Sequence, residues 1–374
     1  MPSPSLMQSP PGPETVIDGK TFLYFGGTSY LGLAAREDVI EAGCTAARRY
    51  GVHSATSRAR VGTNPPVAEV EERAARFFGK EAAFYFGSGY ASNHILVSTL
   101  ADRADVILVD EAAHYCVLEA TRLAGLPVRT FHHRDAEDLR RRLETSTRPL
   151  VMVDGANPST GALAPIESYL DVLEPLADPA LCIDDAHLFG VLGPNGRGLF
   201  DALGHWETVN TDAPHRGTRL YAGGTLSKAM GGFGGILTGT AGFIERARNA
   251  SHYFDGASAP PSAVAGSTAR ALQVLEEEPE LRQRLDANAT YVRQGVDRLG
   301  LIIPTGCSAH FGISTGDAPQ MQRMHQSLLD RGIFLPYVGA YAGIPPEGLL
   351  RIAIFADHTI PQLERLLIEL ESAL

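Results

Sequence analysis

The sequence predicts an α/β protein: a mainly parallel sheet covered on both faces by helices, followed by a smaller α+β unit. Three observations carry this. From about residue 81, short apolar runs alternate with helix-length amphipathic segments. The runs are near-continuously apolar, as strands buried on both faces are. From Pro260 the pattern changes to two long helical stretches, short strands and a last helix.

In chain order, Met1 to Pro13 is rich in proline and lacks both a basic stretch and an apolar stretch, so it reads as a disordered or docked arm and not a signal peptide. Val16 to Phe25 reads as a strand–turn–strand with Asp18-Gly19 at the turn. Glu37–Tyr50 and Val67–Phe78 have helical apolar spacing, with a polar, irregular stretch between them. The strand runs are Ala82–Phe86, Val106–Val109, Val128–Phe131, Leu150–Val153, Leu181–Ile183, Leu220–Ala222 and Gly234–Thr240. Helices follow at 261–276 and 279–299, then a strand at 309–314 and a helix at 319–331. Strands at 333–336 and 350–355 and a helix at 360–374 complete the chain. This divides it into an arm-and-hairpin segment (1–50), a large domain (51–257) and a small C-terminal domain (258–374).

Composition excludes several classes. The 374 residues are 44% hydrophobic and 20% charged, enough for a sizeable core. A formal net charge of -11, with no basic run longer than Arg140–Arg142, argues against nucleic acid. No apolar run is long enough to span a membrane. Cys44, Cys116, Cys182 and Cys307 are scattered without metal spacing, which suggests reduced thiols in the cytoplasm.

Only three lysines occur: Lys20, Lys80 and Lys228. Lys20 sits at the hairpin tip and Lys80 in a polar bend, and both are expected to be solvated. Lys228 follows a strand and precedes a glycine cluster that lets other groups approach. An amine in a partly apolar cleft is pushed toward its neutral, nucleophilic form.

Ligands of parallel sheets bind at the carboxyl ends of the strands. There the sequence puts Ser88, Gly89 and Tyr90 opening a helix, His114, Asp184 and His187, and Thr225 with Lys228. Together they fit pyridoxal 5'-phosphate (PLP). Lys228 meets its aldehyde, while Ser88, Gly89, Tyr90 and Thr225 cradle its phosphate. Asp184 keeps its pyridine nitrogen protonated, His187 donates to its ring oxygen, and His114 stacks on the ring. The competing readings are a helix-capping Asp184, satisfied loop histidines and a loop lysine. Asp-Asp-Ala-His also suggests a metal, but no further ligand is spaced nearby, so no metal is expected.

The chain resembles the α-oxoamine synthases, PLP-dependent acyltransferases of fold type I. The likeness rests on Tyr30-Leu-Gly-Leu33, Phe86–Asn93, Asp184–His187 with Gly190–Gly198, Thr225-Leu-Ser-Lys228, Pro260-Pro261, Leu350–Ile352 and Ala356–His358. It implies the aspartate-aminotransferase-like fold, with a seven-stranded sheet. It implies that an amino acid and an acyl thioester are condensed, with decarboxylation, to an α-amino ketone. It implies a homodimer with the active site at the interface. By the same resemblance Lys228 forms the internal aldimine and moves the α-proton, and Arg351 holds the amino-acid carboxylate. The competing reading of Arg351 is a strand-edge arginine in a surface pair. An aminotransferase or aldolase working without a thioester is the alternative activity.

Four departures from the family pattern fall around substrate and interface. Thr28 stands where the family has asparagine, at a position expected to face substrate, and Val67 where it has histidine. Asp154–Gly161 replaces a stretch beginning with glutamate. Gly256-Ala257 replaces Ser-Thr, leaving Ser258 to supply a hydroxyl toward the partner subunit.

Overall fold

The computed structural model describes residues 5–304, 306, 308–339 and 343–374. Cys307 therefore lies outside the described residues, as does the start of the arm.

Strands β1 (Glu14–Ile17) and β2 (Lys20–Tyr24) form the expected hairpin. It turns at Asp18 and Gly19, both at positive φ, which fits a tight Asp-Gly turn. The arm is docked from Leu6 onward: Leu6 N donates to Asp18 at 2.8 Å, and Met7 bridges to Ile17. Helices α1 (Glu37–Tyr50) and α2 (Pro65–Phe78) follow. Asn64 caps α2, accepting from Val67 N at 3.2 Å, and Pro65-Pro66 open it where no amide is needed.

The large sheet is then built by alternation. β3 (Ala82–Phe86), α3 (Ala91–Leu100), β4 (Val106–Asp110), α4 (Tyr115–Thr121), β5 (Val128–Phe131), α5 (Ala136–Leu143) and β6 (Pro149–Asp154) come first. Next are α6 (Ile166–Leu173), β7 (Ala180–Asp184), α7 (Leu199–Ala202), β8 (Arg219–Thr225), β9 (Gly235–Gly239) and α8 (Ala241–Ala250). Its seven strands run β3-β9-β8-β7-β6-β4-β5. Only β9 is antiparallel to its neighbours. Side chains alternate between two cores. Leu150 and Met152 of β6 face α3, α4 and α8 on one side, while Val151 and Val153 join α2, α5 and α6 on the other.

The last third contains α9 (Ser262–Glu277), α10 (Glu280–Arg298), β10 (His310–Ile313), α11 (Ala318–Asp330), β11 (Ile333–Phe334), β12 (Tyr337–Val338), β13 (Leu349–Ala353) and α12 (Ile360–Ala373). Antiparallel strands β10-β13-β12 form one small sheet. The hairpin is not a separate segment: β2 pairs in parallel with β11, so the first strands complete a sheet of the C-terminal part. Tyr24 and Phe334 pack ring on ring there, 5.5 Å apart. Local pattern cannot reveal a pairing across some 300 residues. No described helix is long and apolar enough to cross a membrane.

Candidate active site

The carboxyl ends of β3, β4, β6, β7 and β8 meet at one edge of the large sheet. A cavity of about 270 Å³ opens there, and its walls include Thr28, Gly89, His114, Asp184, His187 and Lys228. Ser88, Tyr90 and Thr225 also line it. The structure thus gathers every predicted site residue except Arg351, which lies just behind.

Lys228 is half-buried in this cavity, and its amine has no hydrogen-bond partner among the described residues. Burial lowers its pKa, with Asp184 and Asp154 pulling the other way. Lys20 is exposed, as expected. Lys80 corrects the expectation of a solvated side chain. Its Nζ donates to Trp206 O at 2.8 Å and sits over the Trp206 ring, and burial lowers its pKa to about 8. It tethers the loop after α2 and is remote from the cavity.

Asp184 ends β7 and is buried. Its Oδ1 accepts from Ala186 N at 2.9 Å, so it does cap the turn. Its Oδ2 accepts from Asn93 Nδ2 at 2.7 Å, and the residue lines the cavity. Capping and site roles are therefore compatible, because the two oxygens are divided between them. Asp185 points away, accepting from Leu199 N at 2.8 Å, and burial pushes its carboxyl up to about 8. Asp154, paired across the sheet with Asp184, accepts from His114 N at 2.7 Å. Burial first, and the Asp184 charge second, hold its carboxyl well above the usual range.

His114 caps α4. Its Nδ1 accepts from Cys116 N at 3.2 Å, which leaves Nε2 to carry the ring proton. Burial lowers the His114 pKa and keeps the ring neutral. His187 is buried with Nδ1 2.8 Å from Tyr30 Oη, and its Nε2 has no partner among the described residues.

The phosphate cradle rests on close approach. A Cβ on Gly89 would lie 2.5 Å from Thr225 Cβ, so only glycine lets the β3–α3 turn meet β8. The first turn of α3 has no side-chain cap, so its N-terminus is open to an anion. Two predicted donors are otherwise engaged. Tyr90 Oη donates to Glu119 at 2.5 Å while its backbone N–H meets Ser88 Oγ at 3.3 Å, and Thr225 Oγ1 donates to Gly234 O at 2.8 Å.

Arg351 lies on β13 and is buried, with Nε on Pro158 O (3.0 Å), Nη1 on Gly27 O (2.9 Å) and Nη2 on Tyr30 Oη (3.0 Å). Among the described residues no carboxylate pairs with it, which removes the surface-pair reading. Arg58 offers no substitute: it is buried in a fork on Glu71, both contacts at 2.9 Å. Arg60 is exposed.

Of the departures, Thr28 lines the cavity, whereas Val67 is core on α2. Ser258 bridges to Ser57 beside Gly256-Ala257. Sequence reasoning assigned no role to Asn93, Cys116, Asp154, Ser227, Tyr30 or His310. Asn93, Tyr30 and Ser227 lay inside quoted motifs, and Asp154 opened a stretch noted as a departure; Cys116 and His310 carry no local signal.

A free amine, an unpartnered imidazole N–H, a buried carboxylate and a cradle that a Cβ would fill together suit PLP. Fold and site thus define a PLP-dependent enzyme of fold type I. The chain belongs to the aminotransferase class I and II family, whose profile matches residues 22–370. It is 33% identical to a putative 8-amino-7-oxononanoate synthase of Desulforudis audaxviator, over 98% of this chain and 93% of that one. It is 32% identical to a serine palmitoyltransferase of Caulobacter vibrioides, over 95% and 86%. The structure of S. paucimobilis serine palmitoyltransferase with a bound PLP–myriocin aldimine superposes with a TM-score of 0.88 at 28% identity, covering 99% of this chain and 92% of that one. Both relatives are members of the α-oxoamine synthases that the sequence resembles.

Proposed function

We propose that this enzyme condenses an amino acid with an acyl thioester and releases carbon dioxide and free thiol, giving an α-amino ketone. The observation that carries this reading is the unpartnered Lys228 amine beside Asp184, with a buried, carboxylate-free guanidinium at Arg351 behind it.

When bound, PLP supplies an aldehyde for the amine and a ring that accepts charge from the substrate's α-carbon. Gly89, Ser88, Tyr90 and Thr225 would hold its phosphate at the start of α3, the Tyr90 N–H and the Thr225 hydroxyl exchanging their present partners, Ser88 Oγ and Gly234 O, for it. Asp184, oriented by Asn93, holds a proton on the ring nitrogen. His187 Nε2–H would donate to the ring oxygen, and His114 would cover the ring face. Arg351 fixes the amino-acid carboxylate with its free N–H groups, and Thr28 lines the same side. The Lys228 Nζ amine would then serve as the base that takes the substrate's α-proton. His114 Nε2–H then donates to the oxygen that gains charge as the carboxylate leaves.

We also read the active unit as a homodimer in the cytoplasm. Tyr90 and Phe233 line the cavity yet are 39% and 54% exposed, as residues covered by a partner would be. Light scattering tests the dimer, and a fully active monomer rejects it.

The experiment for the reaction mixes loaded enzyme with an amino acid, an acyl-CoA, or both. Thiol release that needs both supports condensation. A keto acid formed from the amino acid alone, with no thiol released, selects the aminotransferase reading.

A further inference from the structure

Behind the cavity lies a buried polar cluster, two members of which, Tyr30 and His310, the reading above leaves unused. Tyr30 Oη sits 2.8 Å from His187 Nδ1, 3.2 Å from His310 Nδ1 and 3.0 Å from Arg351 Nη2. Its ring stacks on His310, and the His187 and His310 rings lie 4.6 Å apart. One hydroxyl therefore touches both the group assigned to the cofactor ring and the group assigned to the substrate carboxylate.

The protons can be placed by chemistry. An arginine N–H only donates, so Arg351 gives to Tyr30 Oη. A carbonyl only accepts, so His310 Nε2, 3.0 Å from Asn157 O, carries the His310 proton. Burial keeps His310 neutral, which leaves its Nδ1 bare. Ser308 Oγ, 2.9 Å away, supplies that nitrogen. The single Tyr30 proton is then free for its shorter contact, His187 Nδ1. His187, also neutral by burial, must carry its own proton on Nε2, the nitrogen open to the cavity.

We propose that Tyr30 is a positioning residue that holds His187 in its cavity-donating tautomer and couples it to Arg351. The inference rests on the assignment of Arg351 to the substrate carboxylate. The chain runs Arg351 N–H to Tyr30 O, Tyr30 O–H to His187 Nδ1, and His187 Nε2–H to the ring oxygen of the cofactor. Hydrogen bonds in a buried series polarise one another, so a change at Arg351 is felt at His187 Nε2. Seating of the amino acid and the donor at the cofactor ring become one event.

Two measurements test this. The first needs no variant: ¹⁵N NMR of histidine-labelled holoenzyme reads the His187 tautomer. A proton on Nε2 with a bare Nδ1 supports the assignment; a bare Nε2 overturns it. The second is a cycle of Arg351→Lys and His187→Asn, read as the amino-acid dissociation constant by visible titration. With Tyr30 present, the double variant should depart from additivity by roughly fivefold or more; in the Tyr30→Phe background the effects should be additive within about twofold. Additivity with Tyr30 present overturns the coupling, as does non-additivity that survives Tyr30→Phe. Failure of the Arg351 assignment looks different: Arg351→Ala then binds amino acid like the parent, while the tautomer of His187 is read independently.

Discussion

Arg351→Ala separates substrate binding from stability. The guanidinium is buried and meets three neutral acceptors, Pro158 O, Gly27 O and Tyr30 Oη. Truncation leaves those groups short of a donor in a site closed to water. At ~1–3 kcal/mol for each buried group left unsatisfied, and with partial relaxation, the fold should lose about 2–4 kcal/mol. The melting temperature should then fall by roughly 5 °C. Binding loses more. Among the described residues the charge has no counterion, so a substrate carboxylate would be its first anionic partner, and losing one side of such a contact costs ~2–5 kcal/mol. The amino-acid dissociation constant should rise at least ~30-fold.

The assay is a visible titration of the loaded enzyme with amino acid, beside a thermal melt of the same preparation. Arg351→Lys should recover part of each loss, because an ammonium keeps the charge but lacks the planar fork. A variant that melts lower yet titrates like the parent refutes the reasoning. Arg351 is then a structural clamp joining β13 to the Gly27 and Pro158 loops, and the exposed Arg60 becomes the next candidate for the carboxylate.

Borohydride reduction and peptide mapping should place the cofactor on Lys228, and Lys228→Ala should abolish that adduct; a label on Lys80, whose pKa is also lowered, would redirect the assignment. Gly89→Ala puts a methyl 2.5 Å from Thr225 Cβ, so apoenzyme should take up cofactor at least ~10-fold more weakly, measured by reconstitution; unchanged affinity would remove the phosphate from this turn. Asp184→Asn should keep the fold and slow turnover by ~10²-fold, the scale of one preorganised electrostatic contact; a near-parent rate leaves only the capping role. His358 Nδ1 accepts from Phe355 N at 2.9 Å while Nε2 donates to Tyr24 O at 3.1 Å, and burial lowers its pKa to about 4. Its neutral form is favoured in the fold, so its contribution is complete above pH ~6.5 and lost as pH falls toward 4, about 3 kcal/mol in all; urea titrations from pH 7 to 4.5 should show a decline that His358→Gln flattens.

Much of the fold was legible because its signals are local. Each strand of the large sheet is a short apolar run, and each has its helix beside it in sequence. Strand ends drifted outward where polar residues extend them: Asp110, Asp154 and Asp184 belong to β4, β6 and β7, and Thr225 to β8. A strand-end carboxylate reads as loop, yet its backbone still pairs with the next strand. The pairing of β2 with β11 was not legible, because two residues of each strand carry that contact. The docking of Lys80 on Trp206 was hidden because it joins residues far apart in sequence that no periodicity links.

The site divides along the same line. Lys228, Asp184, His187 and His114 could be placed together because parallel strands deliver their carboxyl ends to one edge, so separate strand-end residues share a place once the sheet is inferred, and all four line one cavity. Residues that act through others had no such rule. Asn93 sits inside α3 and reaches Asp184 only because α3 crosses over β7. Tyr30, His310 and Arg351 come from a loop and two strands of the small sheet, and meet beneath the large one. Their spacing in sequence follows from no periodicity. Yet they are the groups that join the two parts of the molecule at the cavity: Arg351 bonds to the Pro158 loop of the large sheet and to Gly27 near the hairpin, and Tyr30 spans from Arg351 to His187. On the proposed reading, the groups that would face the cofactor are carried by the large sheet, and the guanidinium proposed for the substrate by the small one. A hydroxyl in contact with both is where the two recognitions can be made to depend on each other.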